Sequence, residues 1–351
     1  MSEIPSEISH KLPSFSIILE TENLSTAELD GFYQSLDSLI KQNPSAQIAN
    51  EVLIVDSGDT PSGVLQSICD RYPWITVHQA KAGIGYYEAK MEGTRIATGE
   101  IILFCDSDCV YESDWLNYIL SPFVNHPEIN IVAGETATKS EGIYGLAMHL
   151  SYIFTGFSGQ EELVPAREYY CNNVAFRRNF LLQYPIPADM SMYRGNCSVH
   201  ARALARQGHY TWRQPKARAK HAPPNGLEHF FWRFLLIGYD QVKRKQLFVE
   251  LNNSLPQTNQ QEKKAISWLS WLGNKLPILR RIKRARPSQL IYLPLALPIM
   301  FASWLLVTCG FWITKISPNY LLKVYSAKEG TNYESLNEPP KQQLIQAGLV
   351  K

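Results

Sequence analysis

Three short, almost wholly apolar runs constrain the fold of this 351-residue chain more than any other feature. They are Phe15–Leu19 (FSIIL), Glu51–Val55 (EVLIV) and Glu100–Cys105 (EIILFC), with Ile75-Thr76-Val77 as a shorter companion. The segments between them have helical spacing: Leu29, Phe32, Leu36, Leu39 and Ile40, then Val64 to Arg71, then Tyr87 to Ala97 with Gly99 as the stop. Strands apolar on both faces belong to sheets covered on both sides, and strand–helix alternation makes such sheets parallel. The expected fold class is therefore α/β, a mostly parallel central sheet covered by helices. Ligands of such sheets lie off the carboxyl ends of the strands. The acidic residues cluster there: Asp56-Ser57-Gly58-Asp59 after the second run and Asp106-Ser107-Asp108 after the third.

Lys and Arg total 34 against 32 Asp and Glu, a net charge of +2, which argues against a nucleic-acid partner. The cysteines at 69, 105, 109, 171, 197 and 309 form no CxxC pair and several fall in apolar runs. They read as small buried thiols of a reducing compartment. Residues 1–14 are polar, with no apolar stretch of the kind a cleaved secretory signal needs.

Beyond Tyr118 the alternation loosens. Ile129–Gly134 and Asn173–Phe176 read as strands, Ile143–Phe157 and Gly195–Gly208 as helices, and Tyr210–Gln214 as a further extended run. Pro215 and Pro223-Pro224 then bracket Arg218, Lys220 and His221 in a proline-rich loop. The expected organisation is an N-terminal polar segment (1–14), two halves of one domain (15–120 and 121–251), a linker with a basic amphipathic segment (252–289), an apolar helix (290–313) and a polar tail (314–351). Leu290–Ile313 holds 24 residues without a charge, enough to cross a bilayer core of roughly 20 helical residues. Tyr292, Trp304 and Trp312 supply interfacial aromatics, and Lys275, Arg280, Arg281, Lys283, Arg284 and Arg286 precede the stretch. This predicts a single-pass, membrane-associated protein with a cytoplasmic catalytic domain. The competing reading is a buried core helix kinked at Pro294 and Pro298. Upstream, Ile266–Leu279 reads as an interfacial amphipathic helix.

Asp106-Ser107-Asp108 delivers two carboxylates from one strand to the open end of the sheet. Carboxylates are the hard ligands that Mg2+ or Mn2+ prefers, usually shared with substrate phosphates. A cation there would neutralise a diphosphate leaving group. Paired acids after a strand also serve as turn or cap residues, and Asp56 with Ser57-Gly58 is equally consistent with an Asx turn.

With these motifs in place, the segment from Phe15 to about Leu120 resembles family 2 glycosyltransferases of the GT-A fold. Leu19-Glu20-Thr21-Glu22-Asn23 stands at the family's opening turn and Val55-Asp56-Ser57-Gly58-Asp59 at its nucleotide-binding turn. Ala89-Lys90-Met91-Glu92-Gly93 resembles the helix before the metal motif, which Asp106-Ser107-Asp108 matches. The resemblance implies that Thr21, Asn23, Asp56, Asp59, Lys90 and Asp106 bind a nucleoside diphosphate sugar. It also implies that Asp106, Asp108 and a late His221 hold Mn2+ or Mg2+, with transfer proceeding by inversion. Asn172-Asn173-Val174-Ala175-Phe176-Arg177-Arg178 resembles the family's acceptor-side strand, which makes Asn173, Arg177 and Asn196 acceptor-binding candidates. One departure stands out. Where the family carries a Glu-Asp pair that deprotonates the acceptor hydroxyl, this chain reads Asn196-Cys197. Asp189 is then the candidate base, with Glu135 as another acid and an acceptor needing no strong base as a third possibility. The basic and apolar C-terminus makes a lipid-linked or membrane acceptor attractive. Two rivals are a GT-A-like protein that binds a nucleotide sugar without turnover, and an aspartyl-phosphate phosphatase built on Asp106-Ser107-Asp108, which lacks the second acidic pair such enzymes need.

Overall fold

The computed structural model describes residues 12–21, 24, 29–58, 60–61, 63–154, 156–254, 277–329 and 334–350. The apolar runs form the expected parallel block. Strands β1 (Phe15–Glu20), β2 (Glu51–Asp56), β3 (Ile75–Gln79) and β4 (Ile101–Cys105) lie in the order β3-β2-β1-β4. Alternate residues serve opposite faces, as the strand period of two requires. Ile17, Leu19, Ile54 and Leu103 pack with Phe32, Leu36 and Leu39 of α1 (Leu29–Ile40) on one side. Ile18, Leu53, Val55 and Phe104 pack with Tyr87, Ala89 and Met91 of α3 (Tyr86–Ile96) on the other. Helix α2 (Val64–Arg71) connects β2 to β3. With both faces covered, every residue of β1 is buried.

The second half of the sheet is antiparallel as well as parallel. After β5 (Cys109–Tyr111) and α4 (Trp115–Asn125) come β6 (Ile131–Thr138), α5 (Gly142–Ser151), β7 (Val164–Ala166), β8 (Asn173–Arg177), α6 (Arg178–Gln183), α7 (Asn196–Arg206) and β9 (Thr211–His221). Strand β8 runs antiparallel between β4 and β6, while β9 lies parallel to β6 and carries β5 and β7 antiparallel beside it. The sheet is thus mixed, and wholly parallel only in its first half. The expected helix 143–157 is shorter, because the chain leaves it after Ser151. The proline-rich loop expected around 215–221 is instead the end of one long strand. Register jumps from Ala133↔Arg213 to Glu135↔Arg218, so residues 214–217 stand outside the ladder. Pro215, which has no N–H to give, falls in that irregularity and leaves the pairing on either side intact.

A 29-residue helix, α8 (Gly226–Ser254), follows where sequence periodicity gave no clear signal. It extends to Ser254, so the expected linker begins no earlier. Residues 255–276, with the rest of that linker and most of the amphipathic segment 266–279, lie outside the described residues. Beyond come α9 (Pro277–Arg284), α10 (Leu293–Ile316), α11 (Tyr320–Glu329) and α12 (Pro340–Gln346). The segment Pro287–Ile316 is long and apolar enough to cross a membrane, with mean hydropathy 2.1 over its most apolar window. Ala296, Ser303, Gly310 and Thr314, at helical spacing, form its buried face. Leu295, Phe301, Trp304, Leu305, Trp312 and Ile316 project elsewhere, each about half exposed or more. α10 lies hard against α8: a Cβ on Gly310 would come within 2.0 Å of the Leu235 carbonyl, and one on Gly238 within 2.1 Å of that of Val307. Both ends of the apolar segment are tied to the same body. Before it, Arg281 bonds the Tyr152 carbonyl and Gln289 accepts from the Gly142 N–H at 3.1 Å. After it, Leu321 and Leu322 are buried with Tyr193 and Tyr239, and Gln343 of α12 bonds Ser191. The segment expected as a polar tail is therefore folded back on the sheet domain.

Candidate active site

The strands β1, β2 and β4 end on one edge of the sheet, at Glu20-Thr21, Asp56-Ser57 and Asp106-Ser107-Asp108. Ile18 is level with both Leu53 and Phe104. Asp56 and Asp106 thus lie two strand spacings, about 10 Å, apart across β1. The Thr21 hydroxyl donates to Asp56 Oδ1 at 2.9 Å and accepts from the Ser57 N–H at 3.0 Å. Thr60 donates to the same Asp56 oxygen at 2.5 Å. Asp56 thus ends a stiff turn at the strand terminus. Asn23 and Asp59 lie outside the described residues.

Asp106 is fixed from below. Lys90, fully buried at 0% exposure, donates to Asp106 Oδ1 at 2.8 Å and to the Cys105 carbonyl at 2.8 Å. Burial opposes the Lys90 charge, but Asp106 and Glu20 outweigh it and hold its pKa above the ordinary lysine value. Tyr86 donates its hydroxyl across both Asp106 oxygens at 2.9 and 3.0 Å. Lys90 therefore positions Asp106. The nucleotide contact expected of Lys90 does not fit a side chain sealed in the core.

Asp108 faces His221 across the short pairing of β5 with β9, its Oδ2 lying 3.2 Å from His221 Nε2. His221 Nδ1 contacts the Ala222 carbonyl oxygen. A carbonyl only accepts, so Nδ1 is the donor to Ala222, and Nε2 is the ring atom turned to the Asp108 carboxylate. Two electron-pair donors at that separation are held together by a proton or a cation between them. Burial pushes the Asp108 carboxyl up, with Asp106 adding to the rise and His221 opposing it. Asp108, Cys109 and His221 offer atoms within 4.8 Å of one another. Burial holds the Cys109 thiol well above its ordinary pKa, leaving the oxygen and nitrogen donors. Such an O,N pair fits Mn2+ better than the more strictly oxygen-seeking Mg2+.

Asp106, Asp108 and His221 open into one cavity of about 700 Å³. Its far wall is a face of α8, with Arg233, Ile237, Asp240 and Arg244 one or two turns apart, and the Tyr193–Ser198 segment stands at its side. Several acceptor-side expectations are not met. Arg177 sits at the opposite edge of the sheet, because β8 runs antiparallel to β4. It pairs with Glu100 at 2.7 Å and bonds the Ile129 and Phe123 carbonyls. Asn173 is at the correct edge but 1% exposed, with its amide spent on Trp115, Glu135 and Ala217. Asn196 donates to the Pro187 and Ala188 carbonyls at 2.8 and 3.1 Å, pinning the loop before α7. Asp189 is exposed in that loop and Glu135 accepts from the Ser158 N–H at 2.8 Å; neither lines the cavity. Conversely, Tyr86, Glu168, Arg194, Arg233 and Asp240 do line it and had no sequence signal, apart from helical spacing along 233–244.

Residues 26–184 match the family model described as glycosyl transferase family 2. Among curated proteins, the probable N-acetylgalactosaminyltransferase 7 of Caenorhabditis elegans is 25% identical over 138 residues, 36% of this chain and 22% of that protein. N-acetylgalactosaminyltransferase 7 of Drosophila melanogaster is 27% identical over 168 residues, 45% of this chain and 28% of its own length. The chain thus spans about a quarter of the length of these relatives. A solved mannosyltransferase of Pyrobaculum calidifontis, in complex with GDP-Man and Mn2+, superposes with a TM-score of 0.50 at 16% identity, covering 97% of this chain and 85% of that one. The shared architecture is the GT-A fold.

Proposed function

We propose, from the match of residues 26–184 to the glycosyl transferase family 2 model and from the GT-A fold, that the chain transfers a sugar from a nucleoside diphosphate sugar to an acceptor hydroxyl, with inversion. The observation that carries this reading is the Asp108–His221 pair, an oxygen and a nitrogen donor opposed across a gap that suits a cation. Asp108 and His221 would hold Mn2+, and Asp106, already neutralised in part by Lys90, would take the second position or the ribose beside it. When bound, the ion supplies charge neutralisation to the departing diphosphate. The Thr21–Asp56 turn, two strands away on the same edge, would receive the nucleoside. Orientation within the walled cavity supplies much of the remaining rate advantage. The relatives' printed activities, transfer of N-acetylgalactosamine and of mannose, agree with this class of reaction.

A panel of UDP, GDP and dTDP sugars, titrated calorimetrically with and without Mn2+, tests the donor claim. At least one is expected to bind only with the ion and to release its nucleoside diphosphate on incubation. Binding of none, or equal binding in EDTA, would refute it.

We further propose that the apolar segment seats the enzyme on a membrane without crossing it. The chain returns to the catalytic body at both ends of α10, so a crossing would place parts of one folded unit on opposite sides. One face of α10 is packed on protein and its apolar residues elsewhere are bare. The exposed Arg280, Lys283 and Arg286 stand at its entry. An apolar face with flanking cations binds in the plane of an anionic interface. This seat would bring a lipid-linked acceptor to the cavity that α5 and α8 help wall. Flotation with vesicles containing anionic lipid is expected, with both chain termini cleaved by protease added from one side. Protection of one terminus would restore the single crossing.

A further inference from the structure

We infer that Asp240 is the general base that takes the proton from the acceptor hydroxyl, an assignment that rests on the transferase reading above. The fold brings a carboxylate from α8 to the loop that runs into Asn196-Cys197. Asp240, on α8, accepts the Tyr193 N–H at 2.8 Å on one oxygen and the Arg194 N–H at 3.1 Å on the other. These are the residues just before α7, at whose start Asn196-Cys197 stands. Each carboxylate oxygen retains a lone pair after accepting one N–H.

Elimination among the carboxylates lining the cavity narrows the choice to two. Asp106 is bonded to Lys90 and Tyr86, Glu20 acts on the Lys90 ammonium, and Asp108 faces His221. Glu168 and Asp240 remain. Glu168 accepts from the Ser198 hydroxyl at 2.8 Å, at the side of α7. Asp240 stands on the wall tied through aromatic side chains to the cation pair. The Arg194 guanidinium lies 4.4 Å from the ring centre of Tyr86, whose hydroxyl holds Asp106. Arg233, one face of α8 with Asp240, donates to the Tyr152 hydroxyl at 2.7 Å, and that ring lies 6.2 Å from His221. Asp240 therefore lines the same cavity as Asp106, Asp108 and His221, on the α8 wall.

The environment also suits a base at neutral pH. The charged groups facing Asp240 are Arg233 and Arg244 on its own helix and Arg194 on the loop packed across it; Tyr193, and Tyr152 behind Arg233, are the titratable neighbours. Burial raises the Asp240 carboxyl to about 7, against the pull of two backbone N–H groups and of Arg233 and Arg244. A base near the working pH combines availability with proton affinity. In the step, the acceptor oxygen forms a bond to the anomeric carbon and its proton passes to an Asp240 oxygen. The bond from that carbon to the diphosphate breaks, and its electron pair leaves with the diphosphate.

The test uses the full chain, Mn2+ and the nucleotide sugar that the calorimetric panel identifies, with water and then azide as acceptors. Azide is a nucleophile with no proton to lose. Wild-type release of nucleoside diphosphate to water is expected to rise with pH through about 7. In Asp240→Asn it is expected to fall by about 10²–10⁴-fold and to lose that pH dependence. Mn2+-dependent donor binding should stay at the wild-type value and azide should consume donor equally fast with both proteins, while the thermal midpoint should fall modestly, because an asparagine amide accepts only one of the two N–H groups. Asp240→Glu, which restores a carboxylate, should recover part of the rate to water. Equal rates to water in wild type and Asp240→Asn overturn the assignment while leaving the transferase reading intact. So does a loss confined to Glu168→Gln, or a matching loss with azide, which would mark a structural role. No release by wild type with any acceptor overturns both.

Discussion

Asp106→Ala is expected to lose turnover and about 3–5 kcal/mol of folding stability, the range typical when one partner of a buried ion pair is removed. Lys90 is 0% exposed, and its ammonium has two acceptors, Asp106 and the Cys105 carbonyl. Removing the carboxylate leaves a charge in the core with one carbonyl and the more distant influence of Glu20. The Tyr86 hydroxyl loses its partner as well. Denaturant unfolding measures the loss, and a second substitution checks its cause. Adding Lys90→Met to Asp106→Ala removes the stranded charge, so most of the stability should return while activity does not. If the single variant unfolds at the wild-type midpoint, the ion pair does not hold the site as described.

Asp108→Asn should behave in the opposite way, with catalysis abolished and the fold unharmed. Asp106 supports the sealed Lys90 ammonium, whereas Asp108 faces the Nε2 of His221, a ring that is stable in its neutral form. An asparagine amide donates to that nitrogen, so the metal-free variant should unfold no earlier than wild type. Its Mn2+ affinity should nevertheless fall by at least about 100-fold, since even changes behind metal ligands cost 10–100-fold. Turnover with the panel's best donor should fall with it. The two aspartates of one motif are thus separable, one structural and electrostatic and the other a ligand. Equal stability losses in both variants would contradict that division.

The parallel half of the sheet was legible because its information is local. Phe15–Leu19, Glu51–Val55 and Glu100–Cys105 are apolar on both faces, and their carboxylates follow within a residue or three. The second half was not, because its order comes from pairing between distant segments. Whether Arg177 lies near Asp106 or at the far edge depends on β8 running against β4, and a run of five mostly buried residues is silent on direction. His221 looked like a loop residue because Pro215 and Pro223-Pro224 surround it, whereas a register jump absorbs Pro215 and lets the strand deliver His221 to Asp108. Asp240 gave no signal beyond the helical spacing of its segment. It lies far along the chain from Asn196-Cys197, and only the packing of α8 against the Tyr193-Arg194 loop brings them together. Composition also marked out the apolar segment around α10. It carried no information on the return of α11 and α12 to the same body, on which the proposal of a helix lying on a bilayer rests.

The claim on which the rest depends is that Asp108 and His221 grip a divalent cation at the edge where Asp56 and Asp106 end their strands. Pulsed electron spin resonance of bound Mn2+, recorded with a nucleoside diphosphate present, reads the ligands directly. The account predicts a nitrogen coupling of one directly bound imidazole in wild type, absent in His221→Ala, with Mn2+ binding itself weakened in Asp108→Asn. A spectrum without nitrogen coupling in wild type, or one unchanged in His221→Ala, would contradict it.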